Sequence, residues 1–293
     1  FYMFSINHLR NDRHKASIKT PELSLASPRK EVQNTTEIYA YEPHHAAVKD
    51  ILASYAQHQL SDLGKASLMD RVDTKFLLPI AALPQLLLRL RNSHSALTIG
   101  QNTFSTYQNT YFDTENLDFY RDHHNERANR FKVRQRHYVE SDIKFLEVKQ
   151  KTNKKRTKKY RIDVTDSSTM LTSKQQLIKK HLGMNLEELN ISQYSGYQRI
   201  ALADISACER LTLDFNLWFK APKSERIFHI PNMFIAELKQ QRLSKSTPAY
   251  TEISKLGYRP DSLSKYCVGC ALTYNKQVKT NRFKPILNRL KAA

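Results

Sequence analysis

Two short elements place a carboxylate and an ammonium group two residues apart: Glu147 with Lys149, and Glu237 with Lys239. On an extended strand that spacing puts both groups on one face. A carboxylate among many bases suits phosphate chemistry. Basic side chains bind phosphate oxygens, arginine bidentately. The carboxylate would hold Mg2+ or Mn2+, hard cations that take oxygen ligands and bridge to phosphates. Residues 130–162, RFKVRQRHYVESDIKFLEVKQKTNKKRTKKYRI, supply the bases: thirteen Lys and Arg against Glu140, Asp142 and Glu147.

The elements that must position these groups are strands. Within 130–138, Arg130, Lys132, Arg134, Arg136 and Tyr138 alternate with Phe131, Val133, Gln135 and His137. Glu147, Lys149 and Lys151 oppose Leu146 and Val148, and Lys159 and Arg161 oppose Tyr160 and Ile162. Arg210, Thr212 and Asp214 oppose Leu211, Leu213 and Phe215, while Glu237 and Lys239 oppose Phe234, Ala236 and Leu238. One reading is a half-buried sheet with its charged face in water. The other is a sheet curled inward into a cationic channel. Like charges at successive same-face positions repel one another, and an external polyanion would relieve that cost.

Strands are predicted over 104–114, 129–139, 143–152, 158–164, 194–203, 209–219, 233–241 and 265–274. Tyr, Phe, Val, Ile and Thr dominate them, and polar turns bound them. Helices are predicted over 44–60, 79–93 with Pro79 near the first turn, 173–189 and 248–258. The fold class is α+β: an antiparallel β-barrel with flanking helices. Residues 1–42 are expected to be a poorly ordered tail, 43–275 one catalytic domain, and 276–293 a basic tail or helix.

The formal net charge of +19 over 293 residues calls for an anionic partner. No apolar run is long enough to span a membrane, and the first residues lack the order of a secretory signal. Three cysteines, Cys208, Cys267 and Cys270, fit a reducing compartment, and a cytoplasmic setting is expected. The Cys267–Cys270 pair has no second ligand pair at zinc spacing. There is no GxxxxGK[ST] loop, so side chains must hold any phosphate.

In order along the chain stand DRVDTKF with Lys75, TYFDT at Tyr111–Thr114, FKVRQR with Arg134 and Arg136, and EVK with Glu147 and Lys149. KKYRI with Lys159 and Arg161, YQRIAL with Tyr197 and Arg199, and RLTLDFN with Arg210 and Asp214 follow. IAELK with Glu237 and Lys239, then LSKYCVG with Ser264 and Lys265, complete the series. This series resembles the triphosphate tunnel metalloenzymes, and within them the polyphosphate polymerase, or VTC, domain. The resemblance implies a tunnel of about eight antiparallel strands that binds a nucleoside triphosphate and a divalent metal. In that branch the γ-phosphate of ATP passes to a growing polyphosphate chain.

By that match Lys75, Arg134, Arg136, Lys149 and Arg199 are the catalytic cations. Lys159, Arg161, Tyr197, Arg210, Lys239, Ser264 and Lys265 are the further phosphate contacts. Glu237 is the metal ligand, with Glu147 and Asp214 as further candidates. The residues just before the Ser-Lys pair depart from the pattern: DSLSK lacks a basic residue that some polymerases carry there. The accessory regulatory and membrane-spanning parts of some relatives are not expected.

Three functions compete: an ATP-dependent polyphosphate polymerase, a triphosphatase using water as acceptor, and a non-enzymatic binder of polyphosphate or RNA. The aromatic residues lie mostly opposite the bases, which disfavours RNA stacking. Glu147 and Glu237 would repel a polyanion unless a cation sat between. ATP and polyphosphate, or another triphosphate, are the expected partners, with no specific nucleic acid. Trp218 is expected outside the barrel, and Arg71 with Asp73 is either a ligand contact or a local ion pair. The bases from Lys151 to Lys158 are expected at a solvated turn.

Overall fold

Where apolar and charged residues alternate, the chain is extended. A computed structural model describes residues 43–66, 71–154, 156–166 and 170–292; the expected tail at 1–42 lies outside them, as does Lys155. The elements are α1 (Pro43–Ala53), β1 (Gln57–His58), β2 (Val72–Pro79), α2 (Ala82–Leu90), β3 (Ser95–Leu97) and β4 (Ser105–Asp113). Then come α3 (Asp118–His124), β5 (Arg130–Tyr138), β6 (Ile143–Lys151), β7 (Thr157–Asp163), α4 (Met170–Leu182) and β8 (Asn190–Asp204). The series ends with β9 (Glu209–Lys220), β10 (Ile227–Ile230), β11 (Met233–Gln240), α5 (Pro248–Lys255), α6 (Lys265–Thr273) and α7 (Lys284–Ala292).

The main sheet runs β2-β11-β9-β8-β4-β5-β6-β7, with β1, β3 and β10 attached at its margins. Each neighbouring pair along that path is antiparallel. A closed barrel was expected; the hydrogen-bonded ladder is instead open, ending at β2 and β7. Charges on β7 account for its free edge, since Lys158, Lys159 and Arg161 are exposed and discourage further pairing. The sheet nevertheless curls far enough for its two halves to face each other. Lys149 of β6 feels the charge of Glu237 on β11, and Lys132 of β5 that of Lys75 on β2.

The outer apolar positions pack under helices. Leu83, Leu86, Leu87 and Leu90 of α2 meet Phe76 and Leu78 of β2, with Ile200, Leu213, Phe234 and Leu238 beside them. On the other wall Val133, Leu146 and Val148 are buried, Phe131 meets Phe119 of α3, and Tyr160 stacks on His181 of α4. Trp218 is buried.

A second apolar cluster shares the face of the charged residues. Leu77 lies two residues from Lys75 on β2, and Ile235 two residues from Glu237 on β11; both join Tyr111, Phe219, Tyr266, Val268 and Leu287. Helices α6 and α7 therefore fill one end of the concave face along part of the sheet.

Helix α6 overturns the strand predicted over 265–274. Ser264 starts it by accepting the Cys267 N–H at 3.3 Å. Every residue from Tyr266 to Ala271 is buried, so no amphipathic stripe marks the helix, and a short apolar run does not distinguish helix from strand. Gly269 is required there, because a Cβ would lie 2.4 Å from the Phe219 ring and from the Gln193 amide nitrogen. Pro79 closes β2 rather than opening a helix, and α1 stops at Ala53 rather than running to 60. Strand β2, strand β10 and helix α3 had no counterpart among the predicted elements.

Candidate functional site

Three carboxylates on the concave face each hold two cations. Asp214 of β9 accepts Arg199 Nε at 2.5 Å and Nη2 at 2.8 Å, and Lys265 Nζ from the first turn of α6 at 2.5 Å. Glu147 of β6 takes Arg134 Nε at 2.7 Å on Oε2, while the Lys159 ammonium lies against its Oε1. Glu237 of β11 lies 3.4 Å from Lys75 Nζ and 3.1 Å from Lys239 Nζ. Strand register explains these meetings: Arg199 is opposite Asp214, Arg134 opposite Glu147, and Lys75 opposite Glu237.

The three clusters differ in access. The side chains of Asp214 and Glu147 are 0% exposed, whereas that of Glu237 is 16% exposed. Burial pushes Asp214 up, but Arg199 and Lys265 outweigh it and hold the carboxyl at about 2. Burial likewise opposes ionisation of Glu147, and Arg134, Arg136 and Lys159 override it, leaving it well below the usual carboxylate range. Glu237 is also held well below that range, with burial overcome by Lys239, Lys75, Lys265 and Arg199. All three are therefore anions at neutral pH, inside a predominantly cationic space.

Arg136 sits outside these clusters. Its guanidinium donates to Asn109 Oδ1 at 3.1 Å and to the Tyr197 hydroxyl at 2.7 Å. Tyr107 stacks on Tyr197 with ring centroids 5.2 Å apart. The guanidinium carbons of Arg136 and Arg199 each lie 4.9 Å from the Tyr107 ring centroid. The aromatic face thus steadies two arginines that would otherwise repel. Burial raises Tyr107 to about 12, so it stays neutral.

Lys149 faces the same space, held well below the usual lysine range first by Arg134 and then by burial. Lys132, missed as a site residue by sequence reasoning, joins it; its signal was the shared face with Arg134 and Arg136. Lys132 is also lowered, in its case mainly by burial.

The remaining sequence candidates stand further off or are committed elsewhere. Arg161 is exposed and stacks over Phe145 at 4.5 Å. Arg210 donates to the Leu63 carbonyl at 3.1 Å. The Ser264 oxygen caps α6, and the Tyr197 hydroxyl accepts from Arg136. Arg71 and Asp73 form a local ion pair at 2.9 Å.

Helix α6 brings Lys265 to Asp214, and a buried clamp fixes the helix. Asp113, at the end of β4, accepts the N–H groups of Thr114, Phe119 and Tyr120 and the Tyr266 hydroxyl. Sequence reading placed Asp113 only within the TYFDT element. Thr114, Phe119 and Tyr120 are close in sequence, but Tyr266, which ties the clamp to α6, lies far along the chain, so the sequence carried no signal of this role.

Among the described residues no group of three or more His, Cys, Asp or Glu could cage a metal ion. A divalent cation here would need substrate oxygens. Glu237, with a partly open carboxylate beside Lys75 and Lys239, fits one that takes a single carboxylate and completes its shell with phosphates and water. No helix among the described residues is long and apolar enough to cross a membrane.

The family model described as the VTC domain matches residues 70–274. No curated protein sequence matches the chain. Solved structures with a similar course include a candidate adenylate cyclase from Vibrio parahaemolyticus, at 14% identity and TM-score 0.41, covering 68% of this chain and 97% of that one. Another is HpAC1 from Hippeastrum, a candidate adenylyl cyclase described as having a dominant triphosphatase activity, at 15% identity and TM-score 0.45, covering 71% and 99%. A third, a candidate adenylate cyclase from Bacillus halodurans, matches at 12% identity and TM-score 0.39, covering 76% and 91%. At these scores the structural likenesses carry no argument about chemistry. The family match spans most of the chain and takes in each of the basic and acidic elements of the concave face, and by it the chain belongs to the VTC domain family.

Proposed function

We propose that the chain is an ATP-dependent polyphosphate polymerase, which transfers the γ-phosphate of ATP to a growing polyphosphate inside the concave face. The observation that carries this reading is the composition of that face. Nine cations, namely Lys75, Lys132, Arg134, Arg136, Lys149, Lys159, Arg199, Lys239 and Lys265, stand against three carboxylates, Glu147, Asp214 and Glu237. The excess charge matches a triphosphate rather than a neutral substrate. Phosphoryl transfer asks mainly for positioning and charge neutralisation, which such a face supplies without a side-chain nucleophile.

The roles follow from access. Asp214 and Glu147, closed off and doubly paired, orient Arg199, Lys265, Arg134 and Lys159 toward the phosphates. Glu237 would hold the metal. Bound there, Mg2+ or Mn2+ would neutralise phosphate charge and polarise the transferring group. Lys75 and Lys239 then turn from Glu237 to phosphate oxygens. Arg136, braced by Asn109 and Tyr197, and Lys149 contact phosphate directly. A cytoplasmic setting, where ATP is plentiful, agrees with three free thiols.

Hydrolysis would use the same residues with water as acceptor, so product analysis decides. The protein is incubated with ATP and Mn2+ or Mg2+. ADP with acid-stable polymer is the expected result. ADP with free phosphate would make it a hydrolase, and no turnover with tight tripolyphosphate binding would make it a binding module.

A further inference from the structure

A cavity of 490 Å³ lies between β10, the end of α6 and α7. Cavities of about 300–1,000 Å³ hold small organic ligands. Two walls with regular spacing build it. On α7, Lys284, Leu287, Asn288 and Lys291 stand at i, i+3, i+4 and i+7, which is one face of a helix. Across from them Ser224, Arg226 and Phe228 alternate along the approach to β10. Leu272 and Thr273 of α6, with Asn275 and Thr280 of the segment that follows, line the rest. Lys265, which serves the concave face, is at the other end of α6, about 12 Å away along the helix axis.

The lining divides by chemistry into three parts. Arg226, Lys284 and Lys291 are its charges, and no carboxylate is among the lining residues. Among the described residues none of the three forms an ion pair, and the neighbouring Glu225 lies 3.7 Å from Lys220 instead. The Arg226 guanidinium sits 4.4 Å from the centroid of the Phe228 ring, which steadies it against the wall. Phe228, Ala271, Leu272 and Leu287 form an apolar floor, of which Ala271 and Leu287 are buried. Asn275, Thr280 and Asn288 add amide and hydroxyl groups whose side chains make no hydrogen bond among the described residues.

We propose that this cavity is a second ligand site, separate from the concave face, for a nucleoside monophosphate. The phosphate meets Arg226 and the two lysines. The sugar hydroxyls meet Asn275, Thr280 and Asn288, and the flat base lies on Leu272 and Leu287. Lys284 and Lys291 are seven residues apart, about 10 Å along α7, and the molecule fits between them. A bare phosphate chain would gain nothing from the apolar floor, so the cavity differs in kind from the concave face. The proposal does not depend on which reaction that face performs.

The test is calorimetric titration of the full chain with adenosine monophosphate, in the presence of saturating tripolyphosphate to occupy the concave face. Binding at one site is expected under that condition. Arg226→Gln and Lys284→Gln, both exposed positions on facing walls, should each weaken it about tenfold or more, the loss of one charge-assisted contact. Both variants should bind tripolyphosphate as wild type does. Adenosine and inorganic phosphate, each offering part of the ligand, should bind at least tenfold more weakly than the monophosphate. No binding, binding abolished by tripolyphosphate, or binding unchanged in either variant would overturn the site. Inorganic phosphate or adenosine binding as tightly as the monophosphate would overturn the assigned ligand class.

Discussion

Asp214→Asn tests whether the buried carboxylates are the counter-charges of an otherwise self-repelling site. Asp214 is fully buried and accepts three hydrogen bonds from two cations, Arg199 and Lys265, whose own side chains are only 14% and 13% exposed. Asparagine keeps the size but removes the charge, and half of its polar end becomes a donor facing donors. Breaking a buried pair from one side costs about 3–5 kcal/mol, because it strands charge out of water. Here two cations are stranded by one substitution. At about 2–4 °C per kcal/mol for a domain of this size, the empty protein should melt about 6–20 °C lower. Tripolyphosphate should recover part of that loss. A hundredfold excess over the dissociation constant gives wild type about 2.7 kcal/mol, and the variant should gain more, since the ligand also supplies the missing negative charge. The assay is a melting series of both proteins with and without tripolyphosphate. A variant melting within about 2 °C of wild type would refute the reasoning, as would a ligand-induced gain no larger than that of wild type.

Glu237→Gln should lower the melting temperature less than Asp214→Asn does, because its carboxylate is partly open, yet lower metal-dependent turnover about tenfold or more; a full rate at saturating Mn2+ would remove Glu237 from the metal site. Arg136→Gln should lose most of the ligand-induced stabilisation while Lys154→Ala, in an exposed turn, keeps it; equal responses in a melting series would mean the face is only a wet surface. His123 accepts from Arg130 at its Nδ1 and donates from Nε2 to the Phe131 carbonyl, and burial with Lys132 and Arg130 lowers its pKa to about 2. Folded His123 stays neutral while the unfolded chain takes up a proton below about 6.5. Stability is therefore full above that pH and falls below it, by about 1 kcal/mol from pH 7 to 5.5, and His123→Gln should remove that part of the slope in urea titrations at the two pH values. Gly269→Ala should cost about 1–3 kcal/mol by overpacking against Phe219 and should weaken triphosphate binding through Lys265, both measurable on one purified variant.

Alternation made most of the sheet legible. Strands β5, β6, β9 and β11 fall within a residue or two of their predicted spans because one face of each is apolar and packed while the other is charged. Helix α6 was illegible for the converse reason: buried on every side, Tyr266 to Ala271 has no period to read. Charge could be read, but not its pairing. Arg134 looks like a free cation in sequence, and only the register with β6 reveals that it neutralises a fully buried Glu147. Asp214 looks like a candidate ligand until Lys265, brought by α6, closes its second oxygen. Lys132 was visible on the right face, yet only the fold reveals that it forms no ion pair among the described residues.

The first strand of the main sheet is hydrogen-bonded to the last: β2 lies against β11, with Lys75 opposite Glu237. Strands β4 to β7 can zip as successive hairpins while they are being made, but β2 has no partner until nearly all of the sheet has been synthesised. Until then Phe76 and Leu78, both 0% exposed in the finished fold, lack the cover of β11. Such distant pairing makes closure a late and slow event, with an apolar strand at risk of association in the interval. Lys75 and Glu237 meet in that last step, and Lys265 arrives later still. Completion of the fold and completion of the site are therefore the same event, and no partly folded chain carries a whole one.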